Sequence, residues 1–437
     1  DVYKRQMPTK ARPRNISSFI FIGDKYKKFV SYICSINPQM YSIMKNLTPQ
    51  RVAAVDVFRA LTMFLMLFVN DIPGLKNIPH WLKHAEMNED MLGFSDTIFP
   101  AFLFCMGMSV SFAIQNRYRK GDTTLQVIAH IFWRTVALIA MGLFSLNSGG
   151  IEGGISHQWF CILMVIGFFL VWAVYPKAEG SKKYLFIAMK VLGVALLAFL
   201  VLYKDLNGKP FHQGWWGILG LIGWTYVVCA GIYLFTRESL RKNVIAWLVV
   251  MLLAVISHSS LIPQEYGLRV ILLPFIPSDW TLHAFGMSGV LTSLLMQKYA
   301  DREHPRKFIT ILCVLGAVML IAALCSHPHW IISKIQATPS WLFYCLAAFF
   351  PLFGLFYWLT DVKGKTPWFD IIKPAGTATL TCYILPYVWY AVQQLLGLHY
   401  PELLNAGAPG LLRSLIFSLI IVQLTGLLVK VKIKLKV

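Results

Sequence analysis

Apolar runs of about 20 residues recur along the whole chain, separated by short polar stretches, and that length lets an α-helix cross a bilayer. The runs lie near 52–70, 93–116, 125–147, 157–175, 183–203, 214–235, 243–260, 281–299, 307–325, 339–360, 370–396 and 410–429. They predict an all-α polytopic membrane protein, a bundle of about twelve transmembrane helices, ten at the fewest. The stretch 261–280 contains Pro263, Pro274 and Pro277, and reads as a partly buried loop.

The polar stretches alternate in charge. "NRYRKGD", "PKAEGSKK", "TRESLRKN", "QKYADREHPRK" and "DVKGKTP" are basic, as is the tail "KVKIKLKV", whereas the intervening loops hold few Lys or Arg. By the positive-inside rule the basic set faces the cytoplasm, so both termini are inside and the 71–92 loop is outside. Residues 1–43 are basic and mixed, and "MKNLTPQRVAAVDVFRA" at Met44 reads like a natural start. Residues 1–43 are therefore expected to be a non-native or disordered extension, and 44–437 a single transmembrane domain. No internal repeat, nucleotide-binding glycine motif or interdomain linker stands out.

Composition narrows the class. The chain has 437 residues, 57% hydrophobic and only 14% charged, against about 25% charged in a soluble domain. The net charge of +20 would suggest nucleic acid in a soluble protein; here topology explains it, and no nucleic-acid partner is expected. Seven of the eight cysteines fall inside apolar runs and no CxxC occurs, so neither a disulfide framework nor a zinc site is expected.

Ionisable residues at membrane depth are expensive and call for a reason. Asp56 and Arg59 share one face of the first span at i,i+3 and can pair. Asn70 ends that span, either as an amide serving the helix terminus or as a substrate contact. Asp96 opens the second span, where an acid suits a helix N-terminus. Arg134 is deeper and has no local partner, which makes Asp56, Asp96 or a ligand anion its candidates. His84 lies in "WLKHAEMNEDMLGFSDTIFPAF", and Glu86, Glu89 and Asp90 could orient its ring. Histidine titrates near neutrality and can take a proton from an amine or hydroxyl, although a loop histidine is usually surface. His80 and His84 at i,i+4 suit a metal on a helix, but no third ligand suggests itself. Lys363 and Lys365 are either solvated cytoplasmic lysines or a grip on a phosphorylated coenzyme.

Together, "VDVFRALTMFLMLFVN", "KHAEMN", "SDTIFPAFLFCMGMSV", "WRTVALIAMG" and "DVKGKTPWF" resemble the heparan-alpha-glucosaminide N-acetyltransferase family. The resemblance covers about 51–145 and 340–396. It implies acetyl-CoA as donor substrate, no metal, and an amino-sugar or glycan acceptor across the bilayer. It further implies His84 and Asn70 as catalytic residues, with Asp56, Arg59, Asp96 and Arg134 at further motif positions. A homodimer and a bacterial inner membrane belong to the same expectation. Met87-Asn88-Glu89 departs from the family's Trp-Asn-Gly after His-Ala, and this opens the acceptor's identity. Two other readings use the same intramembrane charges: a transporter or flippase for a sugar or lipid-linked precursor, and a polysaccharide O-acetyltransferase.

Overall fold

The structure, a computed structural model, describes residues 52–150, 154–176, 179–259, 277, 279–301 and 304–437. The extension expected over 1–43 and most of the 261–280 segment lie outside the described residues. Everything below concerns the unit Ala53–Val437.

Among the described residues the fold is helical, with two isolated bridges, Lys76 to Ala406 and Ala173 to Leu435. Its long helices are α1 (Ala53–Asp71), α2 (Phe94–Arg119), α3 (Thr124–Leu146), α4 (His157–Trp172), α5 (Ser181–Leu206), α6 (Gly217–Thr236), α7 (Leu240–Ile256), α8 (Thr281–Tyr299), α9 (Arg306–Ser326), α10 (Pro339–Tyr357), α11 (Thr379–Leu395) and α12 (Gly407–Lys430). Eight of these elements are long and apolar enough to cross a membrane. The protein is an integral membrane protein.

The chain ordering follows from packing. At the centre, α8 crosses α2 so closely that a Cβ on Gly107 would lie 1.9 Å from the Gly286 carbonyl oxygen, and one on Gly289 1.9 Å from that of Phe104. Small residues let membrane helices approach in this way, because lipid supplies no hydrophobic drive for association. All of 281–296 is buried. Its hydroxyls can therefore bond inside the protein: Ser293 meets Ser111 of α2 at 2.6 Å and Ser288 accepts the Trp247 indole N–H at 2.8 Å. A helix sheathed by other helices need not be oily, which is why α8 is too polar to count among the eight. A phenylalanine cluster locks α1, α2 and α10, with Phe58 edge-on to Phe353 at 5.8 Å and Phe104 edge-on to Phe350 at 5.7 Å.

One boundary differs from expectation. The apolar run from 370 is not one helix: a short turn, Lys373–Thr377, precedes α11, and Ala378 breaks the helix at φ −133°, ψ 49°. Gly376 is pressed against α1, where a Cβ would lie 2.9 Å from the Asp56 carbonyl oxygen. Packing against α1 sets the break, and hydropathy does not register it.

Candidate active site

The residues singled out in the sequence gather mainly at two ends of the bundle. At the first, α1 begins with its N–H groups unsatisfied, as every helix does. Asp361, in the π-helical turn Trp358–Val362 that continues α10, accepts the Ala53 N–H at 3.2 Å and the Ala54 N–H at 2.8 Å. That carboxylate ties the "DVKGK" loop to the start of α1. Lys363 and Lys365 are exposed beside it, and Lys363 Nζ lies 5.3 Å over the Trp358 ring. Asp56 and Arg59 do pair, at 3.4 Å, and Arg59 also donates to Ser109 of α2 at 2.7 Å.

At the other end the chain leaves α1 through a 3₁₀ turn, Ile72–Gly74, makes a second at His80–Leu82, and runs extended from Lys83. His80 and His84 are thus not one turn apart on a helix, the arrangement a metal on that face would need. The loop folds back on α2: Ser95 donates to the Leu82 carbonyl at 2.6 Å, and a Cβ on Gly93 would lie 2.2 Å from the Lys83 carbonyl oxygen.

This fold-back presents His84 to Asp96. His84 Nδ1 lies 2.7 Å from Asp96 Oδ1, and Asp96 Oδ2 accepts the Ala85 N–H at 2.9 Å. Lys334 Nζ reaches the same Oδ1 at 3.0 Å and comes within 2.8 Å of His84 Nδ1. The Asp96 side chain is 2% exposed and that of His84 35%. A carboxylate oxygen and an imidazole nitrogen 2.7 Å apart need a hydrogen between them. In the neutral tautomer that carries its hydrogen on Nδ1, the ring donates to Asp96 and Nε2 keeps its lone pair, while the Lys334 ammonium is served by the shared Asp96 Oδ1. Burial holds the Lys334 ammonium below its ordinary pKa, while Asp96 opposes that shift.

Lys334 was not foreseen, and the acids next to His84 do other work. Glu89 pairs with His80 at 3.3 Å, and Asp90 pairs with His327 at 2.8 Å and accepts the Ile332 N–H at 2.8 Å. Glu86 offers its backbone N–H to Glu89 at 2.9 Å. Ser333 and Gln336 bond the Met87 carbonyl at 3.0 and 2.9 Å. The 327–338 loop thus clamps the His84 loop along its length.

Asn70 lies within α1, exposed, and its side chain makes no hydrogen bond among the described residues. It does not serve the helix terminus. It lines a cavity of about 420 Å³ at the His84 end, and His84 is not among the lining residues. Arg134 pairs with neither Asp56 nor Asp96. Its guanidinium stacks 4.5 Å from the Tyr226 ring centroid, and its Nε is buried with no hydrogen-bond partner among the described residues.

Fold and site define a helical membrane protein with an aspartate-held histidine at one end of its bundle and lysines at the other. The chain belongs to the family described as "Domain of unknown function (DUF5009)", whose model matches residues 51–285. Asp56, Arg59, Asn70, His84, Asp96 and Arg134 fall within that match, whereas Lys334, Lys363 and Lys365 fall beyond it. Over 109 residues, 25% of the chain, it is 33% identical to heparan-alpha-glucosaminide N-acetyltransferase of Homo sapiens. Over 107 residues it is 34% identical to the Mus musculus protein of that name. The match covers 16% and 15% of the length of those relatives. The first-span and His-Ala motifs thus belong to a chain with partial homology to membrane N-acetyltransferases.

Proposed function

We propose that the protein moves an acetyl group from acetyl-CoA on its lysine-bearing face to an amino sugar on its His84 face. The single observation that carries this is the buried Asp96 carboxylate holding His84 Nδ1 at 2.7 Å, in a chain partly homologous to a membrane acetyltransferase. With its hydrogen on Nδ1 and directed at Asp96, the ring has Nε2 free to act as the base. The acceptor amine gives its proton to Nε2 as its nitrogen attacks the thioester carbonyl. The carbon–sulfur bond then breaks, and coenzyme A leaves as the thiol once it has taken up a proton. Alternatively Nε2 itself takes the acetyl group and passes it on. Asn70, with its amide free, suits the developing oxyanion.

Basic residues supply the donor end. Lys363 and Lys365 meet the phosphates, Arg59 stands one turn inside, and Arg134 offers its unpartnered Nε to an anion. The Arg117, Lys120, Lys298 and Lys363 ends of the bundle face the cytoplasm by the positive-inside rule. This puts both termini inside, with about twelve spans in all, and the setting is a bacterial inner membrane. The test is coenzyme release. Purified protein with acetyl-CoA and glucosamine should yield free thiol, His84→Ala should lower the yield by about two to four orders of magnitude, and His80→Ala should leave it near wild type. Equal turnover in wild type and His84→Ala would remove the assignment.

A further inference from the structure

Behind the His84 ring three polar atoms close a nearly equilateral triangle. Nδ1 lies 2.7 Å from Asp96 Oδ1 and 2.8 Å from Lys334 Nζ, and Nζ lies 3.0 Å from Oδ1. The turn that delivers Lys334 is pinned from several sides. The Ala337 N–H donates to the Lys334 carbonyl at 3.1 Å while Ala337 holds φ at +52°, a left-handed conformation that its Cβ disfavours. Thr281 of α8 donates to the Ala337 carbonyl at 2.6 Å, and His258, just past α7, sets Nε2 3.1 Å from the Gln336 carbonyl. Backbone held outside its preferred region concentrates where a side chain has to be presented. Here the turn presents an amine to an imidazole.

The side between Nδ1 and Nζ joins two nitrogens, and nitrogens 2.8 Å apart attract only with one hydrogen between them. An ammonium has donors and no lone pair. Beside the Nδ1–H tautomer it bonds Asp96 and faces a second N–H, a repulsive contact. When the ring hydrogen sits on Nε2 instead, the ammonium donates towards Nδ1 and Asp96 together, and Nε2 can no longer take a proton. A neutral amine reverses this. Its lone pair accepts from Nδ1–H, which Asp96 also shares, and Nε2 keeps its own lone pair. The two arrangements differ by one proton on Nζ and one hydrogen moved across the ring.

We propose that Lys334 is a positioning residue that selects the tautomer of His84: charged, it idles the ring with hydrogen on Nε2; neutral, it readies Nε2 as the base. Burial favours the neutral amine and Asp96 opposes it, with the net shift downward. The base-ready form therefore appears as pH rises through that lowered pKa. The Lys334 side chain is 25% exposed, so water can carry the proton away. Among the described residues the other titratable groups around the turn are engaged elsewhere. His327 pairs with Asp90 at 2.8 Å, His80 with Glu89 at 3.3 Å, and His258 lies 3.7 Å from Asp279. Cys345 of α10 faces Asp96. The proposal rests on the acetyl-transfer reading only for what Nε2 does once free; the coupling of Lys334 to the ring stands without it.

Nitrogen NMR of histidine-labelled full chain in nanodiscs reads the tautomer, with the His84 signals identified by their loss in His84→Ala. Raising the pH through the lowered lysine pKa should move wild-type His84 from Nε2–H to Nδ1–H. Lys334→Met removes both donor and charge and should show Nδ1–H throughout. Lys334→Arg keeps donors and never loses its proton, and should show Nε2–H throughout. Thiol release from acetyl-CoA with glucosamine should follow the tautomer. It should rise with pH in wild type, lose that rise in Lys334→Met, and fall by about two orders of magnitude in Lys334→Arg. A purely structural ion pair with Asp96 requires the opposite order, arginine replacing lysine and methionine failing. That order, or a wild-type His84 tautomer that does not change with pH, would overturn the proposal, and the wild-type titration decides it even where a variant fails to fold. A tautomer that switches without thiol release in any sample removes acetyl transfer and leaves the switch. Thiol release with a fixed tautomer does the reverse.

Discussion

Replacing Asp96 with asparagine keeps the shape of the side chain and removes its charge. The carboxylate accepts from His84 Nδ1, the Ala85 N–H and Lys334 at 2.7, 2.9 and 3.0 Å. An asparagine can keep Ala85 on its oxygen, but its NH2 then faces His84 and donates to Nδ1. The ring must answer with the other tautomer, whose Nε2 carries hydrogen and cannot act as a base. Transfer should fall by about two to four orders of magnitude, the contribution of general base catalysis, or roughly 3–5 kcal/mol of barrier at 1.36 kcal/mol per tenfold. Folding should lose about 1.5–3 kcal/mol, the worth of a hydrogen bond to a charged group. Thiol release at saturating acetyl-CoA reads the first effect and thermal unfolding in detergent reads the second. Turnover within about threefold of wild type, less than one tenfold step, with the protein folded would refute the tautomer argument.

Asp361→Ala should lower the thermal midpoint, because two N–H groups at the start of α1 lose their acceptor, a cap worth about 0.5–2 kcal/mol; an unchanged midpoint would show that the cap is dispensable. Gly289→Ala should impair folding far more than Gly231→Ala, since the added Cβ meets the Phe104 carbonyl oxygen at 1.9 Å in one case and open space in the other. The yield of monodisperse protein measures it. The Asp90 carboxyl is held below its ordinary value by the Ile332 N–H and by His327. Its stabilisation of the loop clamp is thus present above the ordinary carboxylate pKa and is lost as pH falls through the depressed one. Hydrogen exchange of 86–90, corrected for intrinsic rates, should lose protection in that acid window, and constant protection would count against the clamp.

What was legible in the chain was local. The apolar runs located the helices, because span length and hydropathy are properties of consecutive residues. Asp56 and Arg59 were legible as a pair for the same reason, being three residues apart on one helix. Asp96 was flagged, but as a helix-terminal acid; its hold on His84 depends on the fold-back at Gly93, which no periodicity encodes. Lys334 lies 250 residues from His84 in an unremarkable loop, and its role exists only once α9 and α10 bring that loop over the 84–90 segment. Arg134 was correctly seen to lack a local partner, yet its neighbour Tyr226 belongs to α6, which only packing reveals. The tyrosines of α11, Tyr383, Tyr387 and Tyr390, drew no notice within the apolar run, since i, i+4, i+7 spacing looks alike whether it faces lipid, core or cavity.

The central claim is transfer across the bilayer, and sided proteoliposomes test it most directly. Radiolabelled acetyl-CoA is supplied on the face carrying Lys363 and glucosamine only on the face carrying His84, with orientation fixed by thiol labelling of a cysteine placed at Glu86. Labelled N-acetylglucosamine should accumulate on the His84 side in wild type and not in His84→Ala. Labelled product only when both substrates share one face, or none under any arrangement, would contradict the account.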